Sequence, residues 1–243
     1  MPPSKRVHSA SSVKLTDELP LNRVYRRIIL RDYGKPIYKA SSLLALLATL
    51  EGCIKGYDSL HNAGLLYRDI LINNLIINED EKNPLWTSFL IDLDLAIKEP
   101  REGTLGVKEL TGTRAFMVIS VLLGEPYSFM HDLELFFWVL FWICIHYDGP
   151  YKSGVVPRFE KWIYVDAEEL ASLKKGVISD EDDFLKIAEN NFTPYYSSLT
   201  PWANKVRRRM FPNGQRWQKP NAGLYSSFKE ILREAQKDEN VVE

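Results

Sequence analysis

The stretch GLLYRDILINNLII, from Gly64 to Ile77, places a group of polar side chains between two apolar runs. The apolar runs predict that both flanks are buried, with a polar loop between them at the edge of the core. Its polar residues are Arg68, Asp69, Asn73 and Asn74. One interpretation is a polar turn whose Asn and Asp side chains bind the local backbone. The other is a reactive site, because an amide oxygen can bind magnesium and a carboxylate can accept a proton from a hydroxyl.

A second carboxylate follows at the end of the next apolar run. LWTSFLID, from Leu85 to Asp92, has the composition of a strand, and NEDEKNP (residues 78–84) before it is a polar turn. A hairpin across residues 75–91 would place Asn74 beside Asp92, as paired metal ligands require. Strands also end in polar residues for no functional reason, so Asp92 alone is weak evidence for a site. The prediction of a reactive site rests on the whole order Tyr-Arg-Asp-x4-Asn, hairpin, Asp.

The rest of the chain is predicted to be mostly helical. A long helix is expected over residues 41–64, with a Ser start and a Gly stop, and an apolar central helix over residues 131–149. Residues 93–130 show no sustained period and are predicted to be mostly loop. Further helices are expected at 166–176, 180–191, 201–210 and 224–236, and a short strand at 27–30. The predicted fold class is therefore α+β, mainly α-helical, with a small β-hairpin.

Composition excludes two classes of partner. The 243 residues are 45% hydrophobic, which is enough for a sizeable core, and the formal net charge is −1, so no bulk charge favours nucleic acid or an anionic membrane. The longest apolar run, Leu135–Ile145, has eleven residues. A membrane-spanning helix needs about 20, so we expect neither a nucleic-acid nor a membrane partner.

The cysteines indicate the cellular location, and the composition of the chain ends indicates where the folded domain begins and ends. Cys53 and Cys144 lie in apolar segments and are predicted to be small buried hydrophobes, which favours an intracellular location in an unknown compartment. Residues 1–21 are rich in Ser, Lys and Pro, lack the apolar region of a secretory signal, and are predicted to be a disordered tail. The expected domain is 22–236, followed by a tail at 237–243.

These motifs together resemble those of the fungal-type protein kinase family. YRDILINN resembles the catalytic loop of protein kinases, and the DLD within IDLDLA occupies the place of their metal-binding Asp-Phe-Gly. TGTRAFM and HDLELFFWVL follow in the family's order, so the resemblance covers about residues 22–236. It implies the C-terminal lobe of a protein kinase-like fold.

The resemblance also implies roles for single residues. Asp69 matches the catalytic base, and Asn74 and Asp92 match the ligands of the magnesium that accompanies ATP. Arg68 matches the arginine that pairs with a phosphorylated activation segment. Thr113 matches the threonine that hydrogen-bonds the catalytic aspartate of Ser/Thr kinases.

Asp132 matches the aspartate that supports the catalytic loop from below, although a carboxylate at a helix start also caps free amides. The activation segment would run over about residues 92–120. Thr104 and Thr111 within it are candidate phosphorylation sites, or ordinary exposed threonines.

The chain departs from the kinase pattern at its start. No Gly-x-Gly-x-x-Gly occurs, and Lys14 is the only lysine between Lys5 and Lys35, in a segment without a strand pattern. The resemblance begins near the hinge strand, which predicts a truncated N-terminal lobe.

Two departures lie inside the matching region. Leu71 stands where many kinases place a lysine on the transferred phosphate. Ser120 stands where a glutamate usually pairs with a distant arginine. Residues 207–209 are all arginine and either include that arginine without its partner or form a solvated basic helix face.

Three functions remain open. The first is transfer of phosphate from ATP to a protein Ser/Thr hydroxyl, impaired or inactive in this chain alone unless a small-lobe partner contributes. The second is a non-catalytic pseudokinase that binds a protein partner through an apolar patch, which a homodimer could also cover. The third is phosphotransfer to a small molecule, which the TGT stretch disfavours.

Overall fold

The computed structural model describes residues 34–80, 82, 86–99 and 113–242. The strand predicted at 27–30, Lys14, the predicted tail at 1–21, Thr104 and Thr111 lie outside these residues. Helices dominate the described part, and its strands are short. The strands are β1 (Lys35–Pro36), β2 (Leu65–Leu66), β3 (Leu75–Ile77), β4 (Ser88–Leu90) and β5 (Ile97–Lys98). The helices are α1 (Leu43–Asn62), α2 (Ile119–Leu122), α3 (Phe129–His146), α4 (Pro157–Glu160), α5 (Ala167–Ile178), α6 (Glu181–Asn191), α7 (Thr200–Met210), α8 (Gly223–Ala235) and α9 (Glu239–Val242). The predicted class, α+β and mainly helical, is confirmed.

The predicted hairpin is present. Strands β3 and β4 pair antiparallel with Leu75 opposite Leu90, and β1 pairs antiparallel with the other edge of β3. All three residues of β3 are buried, because its apolar side chains face neighbours on both sides. The turn starts with the side chain of Asn78, which accepts a hydrogen bond from the amide of Asp80 at 3.0 Å.

Helix α1 supports this hairpin from below. Its N-cap is Ser42, whose hydroxyl accepts from the amide of Ala45 at 3.1 Å. The helix packs against β4 so closely that a Cβ at Gly52 would lie 1.9 Å from Ser88 Oγ. Glycine at this position therefore permits the close approach of helix and strand.

Helix α3 forms the centre of the core, as its uninterrupted apolar sequence predicts. It starts at Phe129, two residues before the predicted His131. Within the described ranges it is the one helix long and apolar enough to cross a membrane by length and composition, and 94% of it is buried inside the protein. The eleven-residue apolar run thus belongs to an 18-residue helix, and its burial is that of a core helix.

The later helices match their predicted positions closely. The side chains of Asp166 and Asp180 cap α5 and α6 by accepting from the amides of Glu169 at 2.8 Å and Asp183 at 3.0 Å. Both cysteines are buried and free, and burial raises the pKa of Cys53 to about 12.

Two regions differ from the sequence prediction. Residues 93–99 and 113–130, expected to be mostly loop, contain β5 and α2, and β5 pairs antiparallel with β2. The expected C-terminal tail instead folds into α9, with Val241 buried and Asp238 accepting a hydrogen bond from Trp202 Nε1 at 2.8 Å. Both differences depend on partners far away in the sequence, which local periodicity does not register.

Candidate functional site

The polar loop between β2 and β3 brings Asp69 and Asn74 into direct contact. The Asn74 side-chain amide donates to the Asp69 carboxylate at 2.9 Å and to the Asp69 backbone carbonyl at 3.0 Å. Both residues are buried between the apolar runs that flank the loop. Since the Asn74 amide nitrogen is used by Asp69, the amide oxygen is the atom that Asn74 can offer to a metal.

Asp92 lies at the same end of the hairpin as Asn74, one residue beyond Ile91, which faces Asn74. The register of β3 and β4 continues into a hydrogen bond from the Ile91 amide to the Asn74 carbonyl at 3.1 Å. Asp92 itself is exposed, and its backbone has a φ of 63°, in the left-handed region that non-glycine residues rarely adopt. The Asp92 carboxylate accepts from the Asp94 amide at 3.4 Å, a local contact that aspartate can make in this backbone conformation.

The environment of Asp69 shifts the pKa of its carboxyl upward. Burial raises the pKa of the Asp69 carboxyl, the hydrogen bond from Asn74 opposes this shift, and the negative charge of Asp92 adds to it. A carboxylate with a raised pKa is a better proton acceptor than an exposed one.

Asp132 supports the loop from beneath. Its carboxylate is fully buried and accepts from the backbone amides of Tyr67 at 3.0 Å and Arg68 at 2.8 Å, and from the Tyr127 hydroxyl at 2.7 Å. At the start of α3 it is the His131 ring that binds the helix end, accepting from the Ser128 amide at 2.8 Å. Of the two predicted roles for Asp132, the geometry therefore fits support of the loop.

Arg68 shares the unusual backbone of Asp92. Its φ is 70°, and its guanidinium carbon lies 5.6 Å from the ring centre of Tyr127. The bond from its amide to Asp132 holds this conformation in place.

The role of Thr113 stays a prediction. It lines the same cleft as Asp69, but no hydrogen bond joins the two, although both are described residues. The carboxylate of Asp69 is engaged by Asn74, and Thr113 is exposed. The hydrogen bond predicted for Thr113 is thus absent from this structure.

Tyr67 is a site residue that sequence reasoning missed. Its side chain is fully buried, and its hydroxyl donates to the backbone carbonyl of Ile91, next to Asp92. This bond joins the polar loop to the end of β4. A tyrosine directly before the Arg-Asp pair was the only signal in the sequence.

The arginine that contacts Ser120 is Arg216, not one of the arginines at 207–209. Arg216 donates to Ser120 Oγ at 2.7 Å and to Glu125 at 2.6 Å, so Glu125 supplies the carboxylate that Ser120 lacks. Arg207 is buried and donates to the carbonyl of Ile178 at 2.8 Å, so it is not part of a solvated face, whereas Arg208 and Arg209 are exposed.

A cleft opens in front of Asp69. Its floor includes Leu71, and its far wall is formed by the segment from Thr113 to Val121. The lining residues are Arg68, Asp69, Ile70, Leu71, Thr113, Phe116, Met117, Val118, Val121, Tyr127 and Leu135. The cleft is shallow, with about 20 Å³ of enclosed space, so it admits a small group such as a hydroxyl beside Asp69 rather than a whole chain.

The donor set fits a magnesium ion bound together with phosphate oxygens. The described residues contain no group of three or more His, Cys, Asp and Glu side chains that could hold a metal alone. Asn74 and Asp92 offer an amide oxygen and a carboxylate, which are hard ligands. Magnesium commonly binds one or two such protein groups and completes its coordination with phosphate oxygens and water.

Comparison with known proteins agrees with these motifs. The model of the family described as fungal protein kinase matches residues 2–144, which include the polar loop, the hairpin and most of α3. A probable serine/threonine-protein kinase of Dictyostelium discoideum is 34% identical over 100 residues. That alignment spans 41% of this chain and 6% of the Dictyostelium protein.

Proposed function

Because this chain belongs to the fungal protein kinase family, we propose that it is a phosphotransferase acting from Mg·ATP on the serine or threonine hydroxyl of a protein. The family uses ATP and magnesium in general. We further propose that the described helices and hairpin correspond to the C-terminal lobe of the kinase fold. The Dictyostelium kinase supports a Ser/Thr substrate only by similarity.

Each residue of the site has a role in this proposal. Asp69 orients the substrate hydroxyl and accepts its proton. Asn74 and Asp92 hold the magnesium, which would supply charge stabilisation to the transferring phosphoryl group. Arg68 and Asp132 fix the loop, and Thr113 faces the incoming chain.

One observation carries the proposal. The Asn74 amide donates to the Asp69 carboxylate at 2.9 Å, and Asp92 directly follows Ile91, whose amide donates to the Asn74 carbonyl, so all three side chains belong to the same end of the hairpin.

We propose that activity is weak in this chain alone. Its 243 residues contain no Gly-x-Gly-x-x-Gly, and Leu71 in the cleft floor cannot stabilise phosphoryl charge. A partner chain that covers the phosphates, or a second copy, would exclude water and strengthen the electrostatic contacts.

A second candidate is a non-catalytic module that binds a protein. Ile91 and Leu93, on either side of Asp92, are 37% and 47% exposed. Large apolar side chains exposed at a site favour a contact surface.

The experiment compares Mg·ATP binding in wild type, Asp92→Asn and Asp182→Asn by calorimetry. Asparagine tolerates the left-handed backbone, so Asp92→Asn changes charge without straining the fold. Asp182→Asn makes the same change on exposed α6. We expect binding in wild type and Asp182→Asn and its loss in Asp92→Asn.

Transfer of labelled phosphate to dephosphorylated casein then tests catalysis. Asp69→Ala should abolish transfer while Mg·ATP still binds. Transfer that survives Asp69→Ala overturns the assignment of the base. No Mg·ATP binding in any form supports the protein-binding module.

A further inference from the structure

Two charged residues are buried next to the cleft without a role in the chemistry above. Lys174 on α5 is 0% exposed, and Glu134 on α3 is 4% exposed. Burying a charge is costly unless specific partners compensate for it. Their partners therefore indicate what the two charges do.

Lys174 holds the cleft wall through one backbone carbonyl. Its Nζ donates to the Met117 carbonyl oxygen at 2.7 Å. The same ammonium lies 4.2 Å from the ring centre of Trp138 and 5.3 Å from that of Trp162. The two indoles thus provide the charge with a cation–π environment and fix its direction towards Met117.

Glu134 holds the same wall through one backbone amide. Its carboxylate accepts from the Ile119 amide at 2.9 Å and from Trp138 Nε1 at 2.9 Å. Trp138 therefore contacts both charges, one through its ring face and the other through its N–H. Hydrogen bonds to charged groups are stronger than those between neutral groups.

The two contacts lie on either side of Val118. Met117 and Val118 line the cleft with Asp69, so their backbone sets the distance between the wall and the proton acceptor. We propose that Lys174 and Glu134 are positioning residues that fix the cleft wall at residues 117–119, and thereby the binding of the protein substrate. This inference rests on the proposed function for the identity of what binds in the cleft.

The charges balance each other inside the core. Burial lowers the pKa of Lys174 to about 7, and the charge of Glu134 opposes that shift. Burial raises the pKa of Glu134, and its hydrogen bonds with Trp138 and Ile119 oppose this, with smaller contributions from Lys174 and Arg216. An apolar pair of similar volume often supports a fold equally well. A charged pair that instead binds two backbone groups of a cleft wall fits a positioning role.

The first test is hydrogen exchange of peptides covering residues 114–122, measured in the full chain. Lys174→Met and Glu134→Leu should each raise exchange in this segment by about tenfold or more, since each removes a charged hydrogen bond. Glu134→Gln keeps an acceptor oxygen for Ile119 and should change exchange little. Lys175→Met, an exposed lysine on the same helix, is the matched control.

The double variant Lys174→Met with Glu134→Leu removes both charges of this pair, so neither is left buried without the other. It is used for the exchange measurement if a single variant fails to fold. Faster exchange confined to the segment supports the proposal. Exchange as slow as in wild type, with α1 peptides also unchanged, overturns it.

The second test separates positioning from stability. With dephosphorylated casein as substrate, Lys174→Met should raise the KM for casein about tenfold and leave kcat and the KM for ATP unchanged. A lower kcat at constant KM would indicate only a smaller folded fraction and would overturn the proposal. If wild type transfers no phosphate, the proposed function fails, while the exchange result still decides whether the wall is held in this way.

Discussion

Asp69 combines burial, an amide donor and a neighbouring negative charge, and each of these has a separate effect on its chemistry. Burial and the charge of Asp92 raise its pKa, while the amide of Asn74 stabilises the ionised form. The buried carboxylate of the proposed base therefore lowers the stability of the folded state. Such a loss of stability is common where function needs a strained or charged group.

Replacing this carboxylate should stabilise the protein. Asp69→Asn removes the buried charge and retains an oxygen for Asn74, so we expect the free energy of unfolding at pH 7 to rise by about 1 kcal/mol. The folded state holds the Asp69 proton more tightly than the unfolded state, so wild-type stability falls as pH rises past the ordinary carboxyl pKa. The gain should therefore shrink as pH falls below about 4. Urea denaturation at pH 7 and pH 3.5 measures this, and a gain independent of pH would contradict it.

Replacing Leu71 with lysine should increase phosphotransfer activity. A lysine at this position would place a positive charge in the cleft floor beside Asp69, where phosphoryl charge develops. We expect Leu71→Lys to raise the phosphotransfer rate by up to about 100-fold, the usual size of one such contact. Leu71→Met controls for the change of shape. Equal rates for both variants would indicate that charge at position 71 does not limit the reaction.

At the scale of elements, the hairpin and α1 determine whether Asn74 and Asp92 meet. Gly52 brings α1 against Ser88 of β4. Gly56 lies on the same helix, but the space that a Cβ would occupy there is open, with no described residue beyond the helix backbone within 4 Å. The two glycines thus differ in their surroundings but share one helix, which makes them a matched pair.

We expect Gly56→Ala to stabilise the protein by about 1 kcal/mol, because alanine favours the helix. Gly52→Ala should be less stable than Gly56→Ala by about 1–3 kcal/mol, because its methyl group crowds Ser88. Thermal unfolding of both variants measures the difference. Equal stabilities would show that α1 and β4 can separate without cost.

At the scale of the whole molecule, the core around α3 connects the polar loop, the cleft wall and the later helices. From this helix, Asp132 binds backbone amides of the polar loop and Glu134 binds the Ile119 amide of the cleft wall. Because α3 is buried on nearly all sides, a change in its packing would be felt at both parts of the site.

Global stability should depend on pH through Lys174. The unfolded chain keeps this proton up to the ordinary lysine value of 10.5, and the folded chain releases it above about 7. The unfolded state therefore binds more protons in this window, so this residue makes the free energy of unfolding rise with pH from about 7 to 10.5. Urea denaturation at pH 7, 8 and 9 should show the rise in wild type and Lys175→Met and a flatter profile in Lys174→Met. Parallel profiles for all three would contradict a lowered pKa of Lys174 in the folded state.

The sequence by itself determined the six longest helices, α1, α3 and α5 to α8, and the hairpin, because periodicity, capping side chains and turn residues act over a few positions. It also indicated that Asn74 and Asp92 lie at the same end of one hairpin, since two antiparallel strands that follow each other along the chain bring their outer ends together. Only the tertiary structure decided that Tyr67 binds the carbonyl of Ile91, that Arg216 serves Ser120, and that Lys174 holds Met117. These partners are 24, 96 and 57 residues apart. No local pattern encodes such pairs, because they form only when the packed core brings distant segments into contact.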